Sequence, residues 1–480
     1  QVPVVAVMTT GGGTRALTSL LGNLLGLQKL DLLDTISYIT GSSGSTWTLS
    51  HLYQSTHWSH KDLSMPVSEL RRHMTKCKLS CFSLDSLKGV NFAGILQAHM
   101  PCQGLPWFCF FLFLVNSQKN NHTLSDERHA LSQGQNPLPI YMVLNIKEDY
   151  SLSEFKEWVE FTPYEVGFLK YGAFIRAEDF GSKFFMGRLM KKLPESRICF
   201  MKEDIAGSKS INRYHENSVR EVRKTLLYKG DEPSPQHRIH ELETYLVTPE
   251  CGIMGIIRQI LTERVMVSKF YNFLKGFQMH NEYLRSENFS IWKDTVLDNF
   301  PNQLTETTEF MCLADTAGYI DISYPPLMRP ERKVDVVLHL NYSSGSQTLP
   351  LEEACKYFLK QGIPFPKVYL SEEEKKNLKE CYIFEDTETP EAPIVVFFPL
   401  VNDTFRKYKE PGVERSPFEM AQGNVDVSSI FSPYCLHSFT YTEEEFDKLV
   451  QLTSYNIQNN KHLILQALNS AVEQKRQQRK

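Results

Sequence analysis

Ile36-Ser37-Tyr38-Ile39-Thr40-Gly41-Ser42-Ser43-Gly44-Ser45-Thr46-Trp47 reads as an apolar strand that runs into a tight turn of small residues and then into a helix, Thr46 to Tyr53. A serine on such a turn projects its hydroxyl from the carboxyl edge of a sheet. The following helix sets orphan N–H groups and a positive dipole end beside it. Negative charge develops at that place during acyl transfer, which makes Ser43 the candidate nucleophile. The match to a G-x-S-x-G elbow is incomplete: Gly41 and Ser43 fit, but Ser45 stands where the second glycine would be. A glycine-serine turn also suits a plain loop, so support must come from elsewhere in the chain.

That support lies upstream. Val2-Pro3-Val4-Val5-Ala6-Val7-Met8 is a continuous apolar run, the pattern of a strand buried on both faces. Thr9-Thr10-Gly11-Gly12-Gly13-Thr14-Arg15 follows, and then a helical pattern with Leu17, Leu20, Leu21, Leu24, Leu25 and Leu27 apolar. Three glycines between strand and helix let backbone N–H groups converge on one anion. A dinucleotide phosphate loop is one use of such a turn, but G-x-G-x-x-G is absent and no P-loop lysine follows. An oxyanion hole built from the Gly12 and Gly13 N–H groups is the better reading, because a serine elbow follows within one βα unit.

The two turns together, Thr10-Gly11-Gly12-Gly13-Thr14-Arg15-Ala16 and Gly41 to Trp47, resemble the catalytic domain of the group IV cytosolic phospholipases A2. The resemblance continues through Gly134-Gln135-Asn136-Pro137-Leu138-Pro139-Ile140-Tyr141, Glu160 to Gly167, Phe180 to Gly187 and Ser323-Tyr324-Pro325-Pro326-Leu327-Met328-Arg329-Pro330, so it covers most of the chain. The late block from Arg329 to Tyr408 is similar to one branch of that family, associated with calcium-dependent N-acylation of phosphatidylethanolamine. The resemblance implies an α/β fold of the patatin type, with a mixed, largely parallel central sheet flanked by helices. It implies one catalytic domain over residues 1–480, acting on membrane glycerophospholipids through an acyl-enzyme on Ser43. The family's calcium-binding C2 module precedes the catalytic domain and is not in this sequence; calcium would enter only through it, and no cofactor is expected in this chain. A cytosolic, peripheral membrane location follows from the same likeness.

A serine hydroxyl needs a base. The chain has 14 histidines, so a Ser-His-Asp triad is not excluded by count, but none sits in a loop after a strand with supporting glycine and acid residues. His339, within the strand-like run Val334 to Leu340, reads as part of a sheet. Asp315, in Met311-Cys312-Leu313-Ala314-Asp315-Thr316-Ala317-Gly318, is delivered by a short apolar run to a loop of small residues. By itself that pattern also suits a helix cap or a turn. The resemblance aligns Asp315 with the aspartate of the family's Ser/Asp dyad. Arg15 stands in a helix's first turn, where a cation opposes the dipole by roughly 0.3–1 kcal/mol. A salt bridge is one reason for that placement; the resemblance implies another, contact with the substrate phosphate. Trp47 reads as packing behind the elbow.

Composition bounds the alternatives. A net charge of −4 argues against nucleic acid as the main partner. The 10 cysteines show no C-x-x-C pairing; Cys77 and Cys81 are the closest, no matching second pair is visible, and no metal site is expected. Leu105 to Val115 is intensely apolar, but its 11 residues cannot span a bilayer; they suit a core segment or an interfacial wall near acyl chains. Residues 202–249 are polar and rich in turn formers, a candidate linker or mobile loop, and they depart from the family's lid-bearing pattern. Two further readings follow from that departure and from the late block: an N-acyltransferase using the phosphatidylethanolamine amine, or a catalytically impaired lipid-binding relative. Ile256 to Phe277 is helical by periodicity, and Phe446 to Val472 reads as a final amphipathic helix or pair. The basic end Lys475-Arg476-Gln477-Gln478-Arg479-Lys480 reads as a solvated tail, with Lys475, Arg476, Arg479 and Lys480 able to add attraction to anionic membrane of about 1 kcal/mol each.

Overall fold

A computed structural model describes residues 2–75, 122–147, 149–195, 244–246, 266–278, 286–299, 302–429, 432–435, 438 and 440–477. The chain opens as β1 (Val5–Thr9), α1 (Thr14–Lys29), β2 (Ile36–Gly41) and α2 (Ser45–Leu52), the βαβα start that the two small-residue turns predict. α3 (Ser64–Met74) and then β3 (Leu138–Ile146) follow. Next come β4 (Glu157–Phe161), β5 (Glu165–Phe168), β6 (Ala173–Arg176), β7 (Lys183–Phe185) and β8 (Arg188–Lys191). The second half carries β9 (Thr244–Leu246), β10 (Met266–Tyr271), β11 (Phe310–Ala314), β12 (Val336–Leu340), α4 (Leu349–Gln361), β13 (Tyr382–Phe384), β14 (Ile394–Phe398), α5 (Glu443–Asn459) and α6 (Lys461–Gln477).

Twelve of these strands form one mixed sheet. Its centre, β14-β12-β1-β2-β3, is parallel throughout, and antiparallel strands extend it at both sides. β1 shows why the centre is buried on both faces. Val5 and Val7 join one core with Leu17, Leu20 and Leu24 of α1, Leu49 of α2 and Phe446 and Leu449 of α5. Ala6 and Met8 join the other, with Leu351, Ala354 and Phe358 of α4. A strand that meets water on neither face has no reason to alternate, which is what its unbroken apolar run records. α1 crosses α5 closely: a Cβ on Gly22 would lie 2.1 Å from Thr453 Oγ1 and 2.5 Å from the Val450 carbonyl oxygen.

The register around β3 decides where the site forms. β4 runs along one edge of β3, pairing Tyr141 to Asn145 with Phe161 to Glu157. The opposite edge is shared. β2 occupies its first part, ending with Gly41 opposite Tyr141, and β11 takes over from the other direction, ending with Ala314 opposite Leu144. The carboxyl ends of β2 and β11 therefore point at each other across three residue steps of β3, about 10 Å.

Two expectations change. The helix expected over Ile256 to Phe277 gives way to strand β10 at Met266–Tyr271, antiparallel to β11; Ile256 to Val265 lies outside the described residues. Met-Val-Ser-Lys-Phe-Tyr is β-prone by composition, and ladder pairing with a neighbour outweighs a helical spacing of apolar residues. The variable stretch at 202–249 lies outside the described residues except for β9, a strand pairing with β10 rather than a loop. The run Leu105 to Val115 and the pair Cys77 and Cys81 also lie outside them. Val336–Leu340, Ile394–Phe398 and the helix pair at the end stand close to where periodicity puts them.

Candidate active site

Ser43 sits in the gap between the facing ends of β2 and β11. Its φ is 51°, a left-handed conformation that costs a non-glycine residue about 1–3 kcal/mol and persists only where the surroundings impose it. Ser45 imposes it here. Its buried hydroxyl donates to the Ser42 carbonyl at 2.7 Å, accepts from the Ser42 N–H at 3.2 Å and accepts from Thr9 Oγ1 at 2.8 Å. Thr46 adds two bonds to the Ser43 carbonyl, from its N–H at 3.1 Å and its hydroxyl at 2.6 Å. The serine in place of the elbow's second glycine is thus a pin for the turn. The need for a glycine falls one residue earlier, because a Cβ on Gly44 would lie 2.0 Å from the Gly13 carbonyl oxygen.

The glycine turn after β1 is pressed against the elbow. A Cβ on Gly11 would stand 2.6 Å from Ser43 Cβ and 3.1 Å from its Oγ. Gly12 and Gly13 adopt φ of 148° and 60°, and a Cβ on Gly13 would meet nothing within 4 Å, so the turn opens to free space at that residue. Among the described residues neither the Gly12 nor the Gly13 N–H donates a hydrogen bond.

Asp315 follows β11 and is 4% exposed. Burial pushes its carboxyl well above the ordinary carboxylate range; the Ala317 N–H, 2.9 Å from Oδ1, pulls it back, the Asp321 charge adds to the rise, and the Ser43 hydroxyl opposes it as a hydrogen-bonding neighbour. Oδ2 is buried with no aligned hydrogen bond among the described residues. The Ser43 hydroxyl is thus the neighbour of a buried carboxyl that has acceptor capacity to spare, an arrangement compatible with general-base chemistry. The loop beyond Asp315 is held at its far end by Glu160 on β4, fully buried between Arg329 at 2.9 Å and Arg332 at 2.7 Å.

Arg15 departs from expectation. It is 4% exposed; Nε donates to the Tyr342 carbonyl at 2.9 Å, Nη2 donates to the same oxygen, and Nη1 reaches the Tyr434 carbonyl at 3.4 Å. Its fork ties α1 to the segments after β12 and before α5 rather than opening toward a phosphate. His339 is no base: it lies buried inside β12, Nδ1 is 3.1 Å from the Tyr324 hydroxyl, and burial lowers its pKa to about 3. Trp47 is half-buried against the first core.

One residue at the site escapes the sequence reading. Asp321 Oδ1 accepts the Gly11 N–H at 2.6 Å, while Oδ2 accepts the Ser343 hydroxyl. It would touch a Cβ on Gly11 at 2.8 Å, and its charge acts on both Asp315 and Arg15. The available signal is its loop, six positions past Asp315; nothing in the residue type points further. Among the described residues no group of His, Cys, Asp and Glu could hold a metal ion, and no helix is long and apolar enough to cross a membrane.

Fold and site together define an α/β protein of the serine-elbow class, in which a strained serine faces a buried carboxylate under a glycine turn. The comparisons with known proteins bear on the fold. Residues 5–91 and 110–219 match the family described as "Lysophospholipase catalytic domain". Cytosolic phospholipase A2 epsilon of Homo sapiens is 50% identical over 493 residues, which cover 99% of this chain and 57% of that protein. The structure of human GIVD cytosolic phospholipase A2 superposes with a TM-score of 0.81 at 40% identity, covering 98% of this chain and 63% of the other. A second structure of that protein, in complex with methyl gamma-linolenyl fluorophosphonate, gives a TM-score of 0.71 at 37% identity, covering 98% and 59%. Over this region the chain is similar to the cytosolic phospholipases A2, and it spans about 57% of the length of the epsilon relative.

Proposed function

We propose that the chain is a serine acyl hydrolase of membrane glycerophospholipids, with residues 1–480 as one catalytic domain. The observation that carries the reading is Ser43, held at φ 51° beside a buried carboxyl with an acceptor, and under a turn with N–H groups, that have no partner among the described residues.

In this reading ionised Asp315 takes the proton from Ser43 Oγ as Oγ attacks the ester carbonyl carbon. The carbonyl electron pair moves to oxygen, and the Gly12 and Gly13 N–H groups hold the resulting oxyanion; one such donor is worth about 3 kcal/mol of transition-state stabilisation. Collapse expels the lysophospholipid alkoxide, which receives the proton from Asp315, and leaves the acyl chain on Ser43. Water then attacks the acyl-enzyme carbonyl, giving a proton to Asp315; collapse releases the fatty acid, and Asp315 returns the proton to Ser43 Oγ. Phosphatidylethanolamine amine is the competing acceptor, and the ratio of N-acyl lipid to free fatty acid on vesicles containing it measures the partition. Arg15 works from behind the turn: its buried charge favours the oxyanion without touching the phosphate.

A fluorophosphonate probe tests the serine. Wild type should label, Ser43→Ala should not, and a folded wild type that stays unlabelled would leave only the lipid-binding reading.

A further inference from the structure

The basic end of the chain and the candidate site lie at opposite edges of the sheet. Lys475 Nζ is 2.7 Å from Asp335, whose carboxylate also accepts the Val4 N–H at 2.6 Å. Val4 and Asp335 precede β1 and β12, so this end of α6 is fastened to the amino edge. Arg476 pairs with Glu473, and Arg479 and Lys480 lie outside the described residues. A membrane that feeds Ser43 must approach the carboxyl edge instead.

A different basic and apolar element stands there. β7 and β8 form a two-stranded hairpin whose tip is Phe185-Met186-Gly187-Arg188. Phe185, Met186, Leu189 and Met190 are 47%, 53%, 40% and 65% exposed. The hairpin docks on the segment leaving β10: the Met186 N–H donates to the Lys275 carbonyl at 2.9 Å, and Phe185 lies against Gly276. That segment follows Tyr271, which pairs with Phe310, and Phe310 lies past Ile146, the carboxyl end of β3.

Two features of the hairpin work against folding. Met186 has φ 51° and Gly187 φ 75°, so the turn has the paired positive φ values that asparagine and glycine normally supply. A large apolar side chain is held there in a strained conformation, and half of it meets water. Lys183 also stands directly opposite Lys191 in the ladder, a like-charge pair that repels. Lys183 lies over the Tyr271 ring at 4.5 Å and Lys192 pairs with Asp179 at 2.9 Å, while Arg188 and Lys191 make no ion pair among the described residues. Apolar side chains at a tip flanked by unneutralised cations suit one surroundings: an acyl layer behind anionic headgroups.

We propose that the β7–β8 hairpin is the element by which the catalytic face docks on an anionic phospholipid bilayer, inserting Phe185, Met186, Leu189 and Met190 while Lys183, Arg188 and Lys191 meet the headgroups. This rests on the lipid-hydrolase reading only for its purpose; binding itself needs no catalysis.

The test uses the full chain carrying Ser43→Ala, so that vesicles stay intact. Sedimentation with vesicles of phosphatidylcholine plus phosphatidylserine should show binding that weakens about fivefold for each of Arg188→Gln and Lys191→Gln, the effect expected for loss of one basic charge near an anionic surface. Met186→Asn should weaken binding several-fold while raising the melting temperature, because it relieves the turn; that variant separates docking from folding. Pure phosphatidylcholine should bind less, with no dependence on Arg188 or Lys191. In the Ser43 chain, the hairpin variants should keep hydrolysis of a water-soluble short-chain ester. Vesicle affinity unchanged in all three folded variants overturns the proposal, whether the hairpin then serves a protein partner or nothing. A wild type that fails on the soluble ester, while vesicle binding still depends on the hairpin, leaves the proposal standing and overturns the role of Ser43.

Discussion

The two edges of the central sheet are built to opposite standards. At the amino edge, polar groups are closed off locally: Val4, Asp335 and Lys475 satisfy one another, and α6 is fastened across the starts of β1 and β12. At the carboxyl edge, Ser43 is strained, and among the described residues Asp315 keeps a buried acceptor without an aligned bond and the Gly12 and Gly13 N–H groups find no acceptor. Unmet hydrogen-bonding capacity is costly in a folded interior, and other buried groups share it, but here it meets a strained serine and a glycine turn at one place that a ligand could complete. The amino edge holds the strands; in the proposed function the carboxyl edge is the one that reacts.

The largest break in this comparison is removal of either reacting group. Ser43→Ala and Asp315→Asn should each lower kcat on a phospholipid ester by about 10⁴-fold or more, since members of such a unit fail together. The two should differ in stability. A carboxyl with its pKa raised by burial favours the fold while protonated, and that contribution is lost as pH rises through the raised pKa. Asp315→Asn should therefore raise the melting temperature at neutral pH and change little at acid pH, whereas Ser43→Ala should show no such pH-dependent gain.

Next is the packing of the glycine turn. Gly11→Ala puts a methyl group 2.6 Å from Ser43 Cβ, so it should cost about 10²–10³ in kcat by moving the oxyanion donors off their target. Gly345→Ala is the matched control: its φ is 83°, nothing lies within 4 Å, and only a modest loss of stability should follow.

Asp321 sharpens the comparison through pH. The rate should rise with pH as Asp315 ionises, on a limb displaced upward from the ordinary carboxylate range. Asp321→Asn keeps an acceptor for the Gly11 N–H but removes the like charge, so the limb of kcat/KM should move to lower pH and activity on its acid side should rise several-fold. An unmoved limb would show that Asp321 acts on geometry alone.

The smallest effect belongs to the amino edge. Lys475→Ala removes an ion pair at a partly exposed position, worth about 0.2–1 kcal/mol, and should leave ester hydrolysis and vesicle binding unchanged.

Much of this architecture is legible in the sequence, and for a local reason. The run before the glycine turn reads as a strand buried twice because its residues are apolar without alternation, and Val5 to Met8 are buried while Val2, ahead of the strand, is exposed. The elbow announces itself by small residues, and Gly12 and Gly13 by a strand-to-helix passage that only glycine could make. These are properties of neighbours along the chain. The helix expected across 266–271 fails for the complementary reason: a strand is stabilised by a partner that periodicity does not see, here β11.

What the tertiary structure alone decides is every relation between distant segments. β2 and β11 end face to face because they share one edge of β3, and that register, not any spacing in the sequence, brings Asp315 to Ser43. Asp321 acquires its role from a bond to Gly11 spanning 310 positions. Arg15 turns inward because two backbone carbonyls from remote loops reach it first. Sequence sets what each residue can do chemically and which local conformation it prefers. Packing sets which of those groups meet, and that is what brings Ser43, Asp315 and the glycine turn to one place.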